Sequence, residues 1–460
     1  MNYKNKDEIQ IESEFNELNI SSRNPNINHV NCYKPEDKKL WCKECVPRCI
    51  IEGWTSRNND IDEFIKDTIY NAKYHRNNYP LFLELIPFDR FEDVKQIGEG
   101  GFAKVYSATW IDGEAKYKRQ NDGSWKKEES KPIKVALKKL NDSQNISANY
   151  LNEIKTLWNV YFNDHIYLKF YGITKDTKTG EFMMIIELAD QGNLRSILSS
   201  NFNNIFWREK LKLLCNIVHD LKNLHKLGYF HKDFHSGNIL HNYNKSNNGN
   251  ISYISDFGLS GPSNEQKSDD KICGVLPYIA PEVLNKEPYT LSSDIYSFGV
   301  IMTELSSGKP PFYKRKHDLS LALEICNGIR PEFGKGTPEI YKKLAYRCMS
   351  AIPNQRPTAD ELYDIIYFLF YAYIGNFQNE EKFGYKGKEI KAIFDEANKE
   401  IPNISTSYEK IPDAIYTSRE FTFSNLPKPV NSSIITSCLE VEEDNKDCQD
   451  SKLFDLEVPN

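Results

Sequence analysis

His231-Lys232-Asp233-Phe234-His235-Ser236-Gly237-Asn238, followed downstream by Asp256-Phe257-Gly258, is the stretch on which the reading of this chain turns. It sets a carboxylate and an amide five positions apart in one loop, with a second carboxylate further on. Asn238 and Asp256 suit a hard cation such as Mg²⁺, which takes oxygen ligands and leaves room for phosphates. Toward the N-terminus, Val135-Ala136-Leu137-Lys138 has the pattern of a buried strand ending in a cation, and Glu153 on the next helix is spaced to pair with it. Further back, Gly98-Glu99-Gly100-Gly101-Phe102-Ala103-Lys104-Val105 separates two strand-like runs, Val94–Ile97 and Val105–Trp110. Positions without side chains there let backbone N–H groups approach phosphate oxygens. Taken singly, the glycine turn reads equally well as a plain hairpin and Lys138 as a solvated strand end. The order of the whole set is what carries the reading.

Composition agrees. The 460 residues carry 59 Lys+Arg against 65 Asp+Glu, a formal net charge of −6, which speaks against a nucleic-acid-binding protein. Hydrophobic residues make up 39% and aromatics 13%, a core too large for one small domain and suited to two lobes. The longest apolar run, Ile365–Ile374, is about half of the ~20 residues that cross a bilayer, and the N-terminus lacks a signal-peptide apolar stretch. We therefore read the chain as cytoplasmic, without membrane insertion. Ten cysteines are too few for a disulfide framework at this length.

Along the chain, residues 1–28 are rich in Asn, Glu and Ser and read as a disordered leader. Residues 29–50 hold a cysteine cluster. Residues 51–90 read as a connecting helix, with Ile61, Phe64, Ile65 and Thr68 at helical spacing and Asp60 as its N-cap, followed by a linker. Residues 91–188 are strand-rich and form a first lobe, with one helix at Ala148–Val160 among strands that include Ile133–Leu137 and Phe182–Glu187. Residues 189–375 read as a helical second lobe, clearest at Trp207–Leu227, where Leu211, Leu214, Cys215, Val218, Leu221 and Leu224 share a face. Residues 376–460 read as a mostly disordered tail with a short amphipathic helix (Ile390, Ile393, Phe394, Ala397) and an acidic C-terminus.

With these motifs in order, residues 91–372 resemble a protein kinase, most of all the tyrosine-kinase-like group, whose members are mostly Ser/Thr-specific, and among them a set of fungal kinases. Ala280-Pro281-Glu282, Ser293-Asp294-Ile295-Tyr296-Ser297-Phe298-Gly299 and Asn354-Gln355-Arg356-Pro357 extend the likeness. The resemblance implies an α+β, two-lobed protein kinase fold with a small β-rich N-lobe and a larger helical C-lobe braced by Glu282 and Arg356. It implies transfer of the γ-phosphoryl group of ATP, with Mg²⁺, to Ser/Thr hydroxyls of protein substrates in signal transduction. Lys138 would contact the α- and β-phosphates and pair with Glu153, Asn238 and Asp256 would hold Mg²⁺, and Asp233 would accept the hydroxyl proton. Ile97, Gly98, Gly100 and Gly101 would cover the nucleotide. Val105, Ala136 and Leu240 would pack on the base, with Ile186 behind a hinge at Glu187 to Ala189. Leu157, Phe170, His231 and Phe257 take the positions that stack in active kinases. Oligomeric state is not legible.

Four departures from the family pattern stand out. Ala103 replaces the third loop glycine, and Lys232 replaces the arginine beside the catalytic aspartate, a point charge in place of a fork. His235 and Val275 replace a lysine and a threonine around Asp233. That pair favours an alternative, a nucleotide-binding pseudokinase scaffold, whereas retention of Lys138, Asp233, Asn238 and Asp256 favours activity. Ser260, Ser263 and Ser268 are the serines open to modification between Asp256 and Glu282. His29, Cys32, Cys42 and Cys45, with Cys49 to spare, have the paired spacing of a small zinc ribbon holding structural Zn²⁺, weighed evenly against free thiols; such a ribbon could also act as a recruitment module.

Overall fold

The computed structural model describes residues 54–74, 79–101, 103–119, 125–140, 143–144, 148–163, 168–244, 249–262 and 272–440. The zinc-ribbon expectation (His29, Cys32, Cys42, Cys45), the leader, Ser263, Ser268 and the acidic end therefore lie outside the described residues. The described residues divide into two compact units: one takes those up to Lys95, within Ser107–Leu137 and within Phe170–Ile186, and the other takes those within Gln96–Tyr106, within Lys138–Lys169 and from Glu187 to Glu440. The glycine turn and the first-lobe helix thus cluster with the larger unit, although the sequence places both before residue 188.

The first unit is built on a sheet. Helix α1 (Asn59–Tyr70) buries Ile61, Ile65 and Ile69. Its cap is Asn58 rather than the expected Asp60, because Asn58 is extended and its Oδ1 accepts from Ile61 N at 3.1 Å. Strands β1 (Glu84–Leu85), β2 (Phe91–Glu99), β3 (Ala103–Trp110), β4 (Ile133–Leu140), β5 (Phe170–Lys175) and β6 (Phe182–Glu187) form one sheet in the order β1-β5-β6-β4-β3-β2. Strand β6 runs antiparallel to β5 with Met184 opposite Ile173, and β1 is parallel to β5 with Glu84 opposite Gly172. The linker before residue 91 thus supplies a strand, which its lack of period-2 alternation did not signal. Between β3 and β4 the chain forms a separate two-stranded ladder that pairs Tyr117 with Lys127.

The second unit opens with α2 (Ala148–Asn163) and continues in α3 (Leu194–Asn201) and α4 (Trp207–Lys226). Helix α4 buries Leu211, Leu214, Ile217, Val218, Leu221 and Leu224, as its 3.6-residue spacing requires, and ends before Gly228. A hairpin of β7 (Ile239–Asn244) and β8 (Gly249–Ile254), pairing Leu240 with Tyr253, brings Asn238 to the start of the Asp256 turn. Ser255 N donates to Asn238 O at 2.9 Å across its neck. Beyond β9 (Ile272–Gly274), helix α5 (Leu291–Ser307) is buried along nearly its whole length; α6 (Leu319–Cys326), α7 (Glu339–Cys348), which packs on α5, and α8 (Ala359–Tyr373) follow. Helix α8 packs on α4. Thr358 and Glu361 cap α8 reciprocally: Glu361 N donates to Thr358 Oγ1 at 3.2 Å and Thr358 N to Glu361 Oε2 at 2.7 Å. Glu282 and Arg356 form the expected pair, doubly bonded at 2.7 and 2.6 Å and buried.

Residues 376–440 differ from the expected disordered tail. They form α9 (Gly387–Asn398), β10 (Arg419–Phe421) and α10 (Ser433–Glu440). Ile390, Phe394, Phe421, Phe423 and Ile435 are each buried, so a largely polar segment folds by sinking widely spaced apolar side chains into the larger unit. The amphipathic helix expected there is α9. It sets Phe394 5.2 Å from the Trp207 ring, and Asn398 Oδ1 accepts from Trp207 N at 2.8 Å, capping a helix whose own N-cap, Phe206, offers no side-chain bond.

Candidate active site

Strand β4 carries Lys138 two residues before its end, and Lys138 Nζ lies 2.5 Å from Glu153 Oε1 and 2.8 Å from Asp256 Oδ1. Helix α2 carries Glu153 and the turn after β8 carries Asp256, so three segments converge on one ammonium. Burial works against the Lys138 charge, but Asp256 and Glu153 outweigh it and hold the ammonium protonated. Desolvation would raise the Asp256 carboxyl; Lys138 prevails and keeps it below the usual range. Asp256 stands at φ 67°, a left-handed conformation uncommon outside glycine, and its side chain is 43% exposed, which leaves the second oxygen open to a cation. Phe257 beside it is buried, 5.3 Å from the His231 ring.

Asp233 is buried in the loop before β7. Asn238 Nδ2 donates to Asp233 O at 2.9 Å and lies 3.4 Å from its Oδ2, which turns the amide oxygen of Asn238 away from the loop as a donor for a metal ion. Ser418 Oγ donates to Asp233 Oδ2, and His235 Nε2 lies 3.6 Å from Oδ1. Burial raises the Asp233 carboxyl, and His235 with Ser418 more than offsets that, leaving it below the usual aspartate range. His235 is therefore a ring in contact with the carboxylate, and its Nδ1 accepts from Gly237 N at 3.0 Å. Val275 is buried and offers no polar partner of the kind a threonine would. Lys232, at φ 66°, rests its Nζ 5.0 Å from the Phe230 ring.

The loop is braced from below by Asp294 on α5. Its carboxylate accepts from His231 N at 2.8 Å, Lys232 N at 3.2 Å and Tyr289 OH at 2.6 Å, and lies 3.0 Å from His225 Nε2. Burial pushes His231 below the ordinary imidazole range, consistent with a neutral ring whose Nε2 donates to Ser255 O at 3.0 Å. Asp294 stands in the sequence within the Ser293–Gly299 motif quoted for the resemblance, and the structure buries it completely. Sequence reading also missed Ser418; its one local clue is the alternation of Phe421 and Phe423 in an otherwise polar tail.

The remaining predicted positions fall as follows. Gly98 lies near the end of β2, and Gly100 and Gly101 stand in the turn between β2 and β3, where Gly100 N donates to Ala103 O at 2.8 Å; Ile97 is exposed. Val105 and Leu240 are half-buried in the second unit, while Ala136 and Ile186 are buried in the first. At the hinge, Glu187 N donates to Lys169 O at 2.9 Å, Glu187 Oε1 accepts from Asn242 at 3.0 Å, and Ala189 O accepts from Gly192 N at 3.4 Å. Among the described residues no group of three or more His, Cys, Asp or Glu is placed to hold a metal.

Residues 91–366 match the family described as protein tyrosine and serine/threonine kinase. The chain belongs to that family. It is 27% identical over 267 residues to a "Probable serine/threonine-protein kinase" of Dictyostelium discoideum, covering 58% of this chain and 15% of the relative. It is 27% identical over 212 residues to a "Probable LIM domain-containing serine/threonine-protein kinase" of the same organism, covering 46% and 21%. A third relative, "Probable serine/threonine-protein kinase pats1" of Dictyostelium discoideum, is 29% identical over 296 residues, covering 61% and 8%. The chain thus spans about a fifth or less of the length of these curated relatives. No helix among the described residues is long and apolar enough to cross a membrane.

Proposed function

We propose that the chain is an ATP-dependent protein kinase of the tyrosine-kinase-like group that phosphorylates Ser/Thr hydroxyls of protein substrates in the cytoplasm. The observation that carries this is the Lys138 ammonium bonded to both Glu153 and Asp256, which aims a fixed positive charge at the place where triphosphate oxygens would lie. A loose phosphoryl-transfer transition state asks for positioning and charge neutralisation more than covalent help. Lys138 holds the α- and β-phosphates, and Glu153 and the strand fix where its ammonium points. Asp233, kept ionised, orients the acceptor hydroxyl and takes its proton. Asn238 and Asp256 would hold Mg²⁺, which when bound neutralises charge on the phosphates. The exposure of Asp256 and the free oxygen of Asn238 support that fit. Lys138, Asp233, Asn238 and Asp256 are all retained, which supports turnover over the scaffold reading.

The test is transfer of label from ATP to a peptide array by the purified chain with Mg²⁺. Asp233→Asn is expected to lower the rate by roughly 10²–10⁴-fold, the usual contribution of a general base. Equal labelling by wild type and variant would refute the assignment of Asp233.

A further inference from the structure

The tail returns to the centre of the site. Ser418 Oγ donates its hydrogen bond to Asp233 Oδ2, the contact that an acceptor hydroxyl makes with a catalytic carboxylate. Its backbone lies against the glycine turn: a Cβ on Gly101 would stand 2.5 Å from Ser418 O, so the turn closes over this peptide only because position 101 has no side chain. Just past Ser418, strand β10 adds to β9 antiparallel, with Arg419 opposite Gly274, Glu420 opposite Cys273 and Phe421 opposite Ile272. Pairing of a segment with the edge of a strand is a common mode of peptide recognition.

Side chains on both flanks of Ser418 are also held. The Tyr416 ring lies 4.3 Å from the Arg195 guanidinium and 4.7 Å, edge to face, from His317, and its OH donates to Pro311 O at 2.9 Å. Tyr416 O accepts from Arg195 at 3.4 Å. His317 N donates to Asp413 O at 3.0 Å, its Nδ1 lies 2.8 Å from Ile415 O, and Arg419 donates to His317 O. All of these residues belong to the second unit. A segment held this way, with a hydroxyl on the catalytic carboxylate, has the geometry of a bound substrate.

We propose that Ser418 is this kinase's own phosphoacceptor, modified in cis, with residues 413–421 docked as a tethered substrate; this rests on the kinase reading above. In the step, Ser418 Oγ forms a bond to the γ-phosphorus of ATP. The bond from that phosphorus to the β–γ bridging oxygen breaks, ADP leaves with its electron pair, and the hydroxyl proton passes to Asp233 Oδ2 and on to solvent. The product carries a phosphate of about −1.5 to −2 charge directly beside the Asp233 carboxylate, and like-charge repulsion expels the segment and frees the groove for other serines.

The test uses the full chain. Incubated with Mg²⁺ and ATP, it is expected to gain phosphate on Ser418, read by mass spectrometry, at a first-order rate that stays constant over about a tenfold dilution of protein, as an intramolecular event must. Ser418→Ala should lose that phosphopeptide, and Tyr416→Ala should slow labelling of Ser418 by about tenfold through loss of the Arg195 stack. Before nucleotide is added, backbone amides of residues 419–421 should exchange hydrogen slowly, and after phosphorylation rapidly. Ser418 left bare while array peptides are labelled overturns the proposal and leaves the kinase reading intact. So does labelling whose rate rises in proportion to protein concentration, or amides at 419–421 that exchange like an unstructured peptide. Ser418 and array both unlabelled sink the kinase reading and this proposal with it.

Discussion

Lys210 is the residue whose surroundings least match its chemistry. Its ammonium is buried on α4 with no hydrogen-bond partner among the described residues, 4.0 Å from the Phe202 ring and 5.1 Å from Trp207. Burial pulls it from the ordinary 10.5 to about 7. A lysine depressed in the folded state binds its proton more readily when unfolded between those two values, so stability should rise with pH from about 7 toward 10.5. Lys210→Met keeps the volume and removes the charge. It should raise the unfolding free energy near neutral pH by on the order of 2 kcal/mol, with the advantage shrinking in alkaline buffer. Denaturant titrations on either side of neutrality check this; an advantage that does not change with pH would mean Lys210 is not titrating there.

Helix α5 shows what one element demands of one position. Gly299 sits mid-helix, where glycine ordinarily costs ~1 kcal/mol against alanine. A Cβ there, however, would stand 2.7 Å from Met349 Cγ, 2.8 Å from Cys348 Cβ and 3.0 Å from Ala345 O. Overpacking of that kind costs ~1–3 kcal/mol, and two of the three atoms belong to a helix backbone or to a Cβ that cannot swing away. Gly299→Ala should therefore destabilise by ~1–2 kcal/mol despite its better propensity, seen as a lower midpoint at unchanged denaturant slope. A rise in stability would show that α5 and α7 can slide apart. The same contact keeps α5 in place, and α5 carries Asp294, which accepts from the backbone of His231 and Lys232 beside Asp233.

For the larger unit as a whole, residues 376–440 act as a brace. Phe394 fills a site against Trp207, Asn398 caps α4, Asn431 Oδ1 accepts from Ala351 N at 2.6 Å, and Val430 N donates to Cys326 O at 2.9 Å. Phe394→Ala should cost ~3–5 kcal/mol, the range for truncating a buried phenylalanine, measured by equilibrium unfolding. A loss within experimental error would show that the tail packs on the unit without stabilising it.

Much of the site was legible in order along the chain. Lys138, Glu153, Asp233, Asn238 and Asp256 are fixed by strand ends, one helix and one hairpin, so their residue types and spacing already encode the convergence. The amphipathic pattern of α4 and the salt bridge of Glu282 with Arg356 were legible for the same reason, since each belongs to a local motif in a known order. The strand at Glu84, the cap from Asn398 and the serine on Asp233 were not. Each joins segments far apart in sequence, 185 positions for Ser418 and Asp233, through a two-residue strand or one side chain, too short for a pattern that names its partner. Sequence alone determined, through residue type and order, which side chains could converge; the tertiary structure alone decided that Ser418 bonds to Asp233, because only folding brings the ends of so long a loop together.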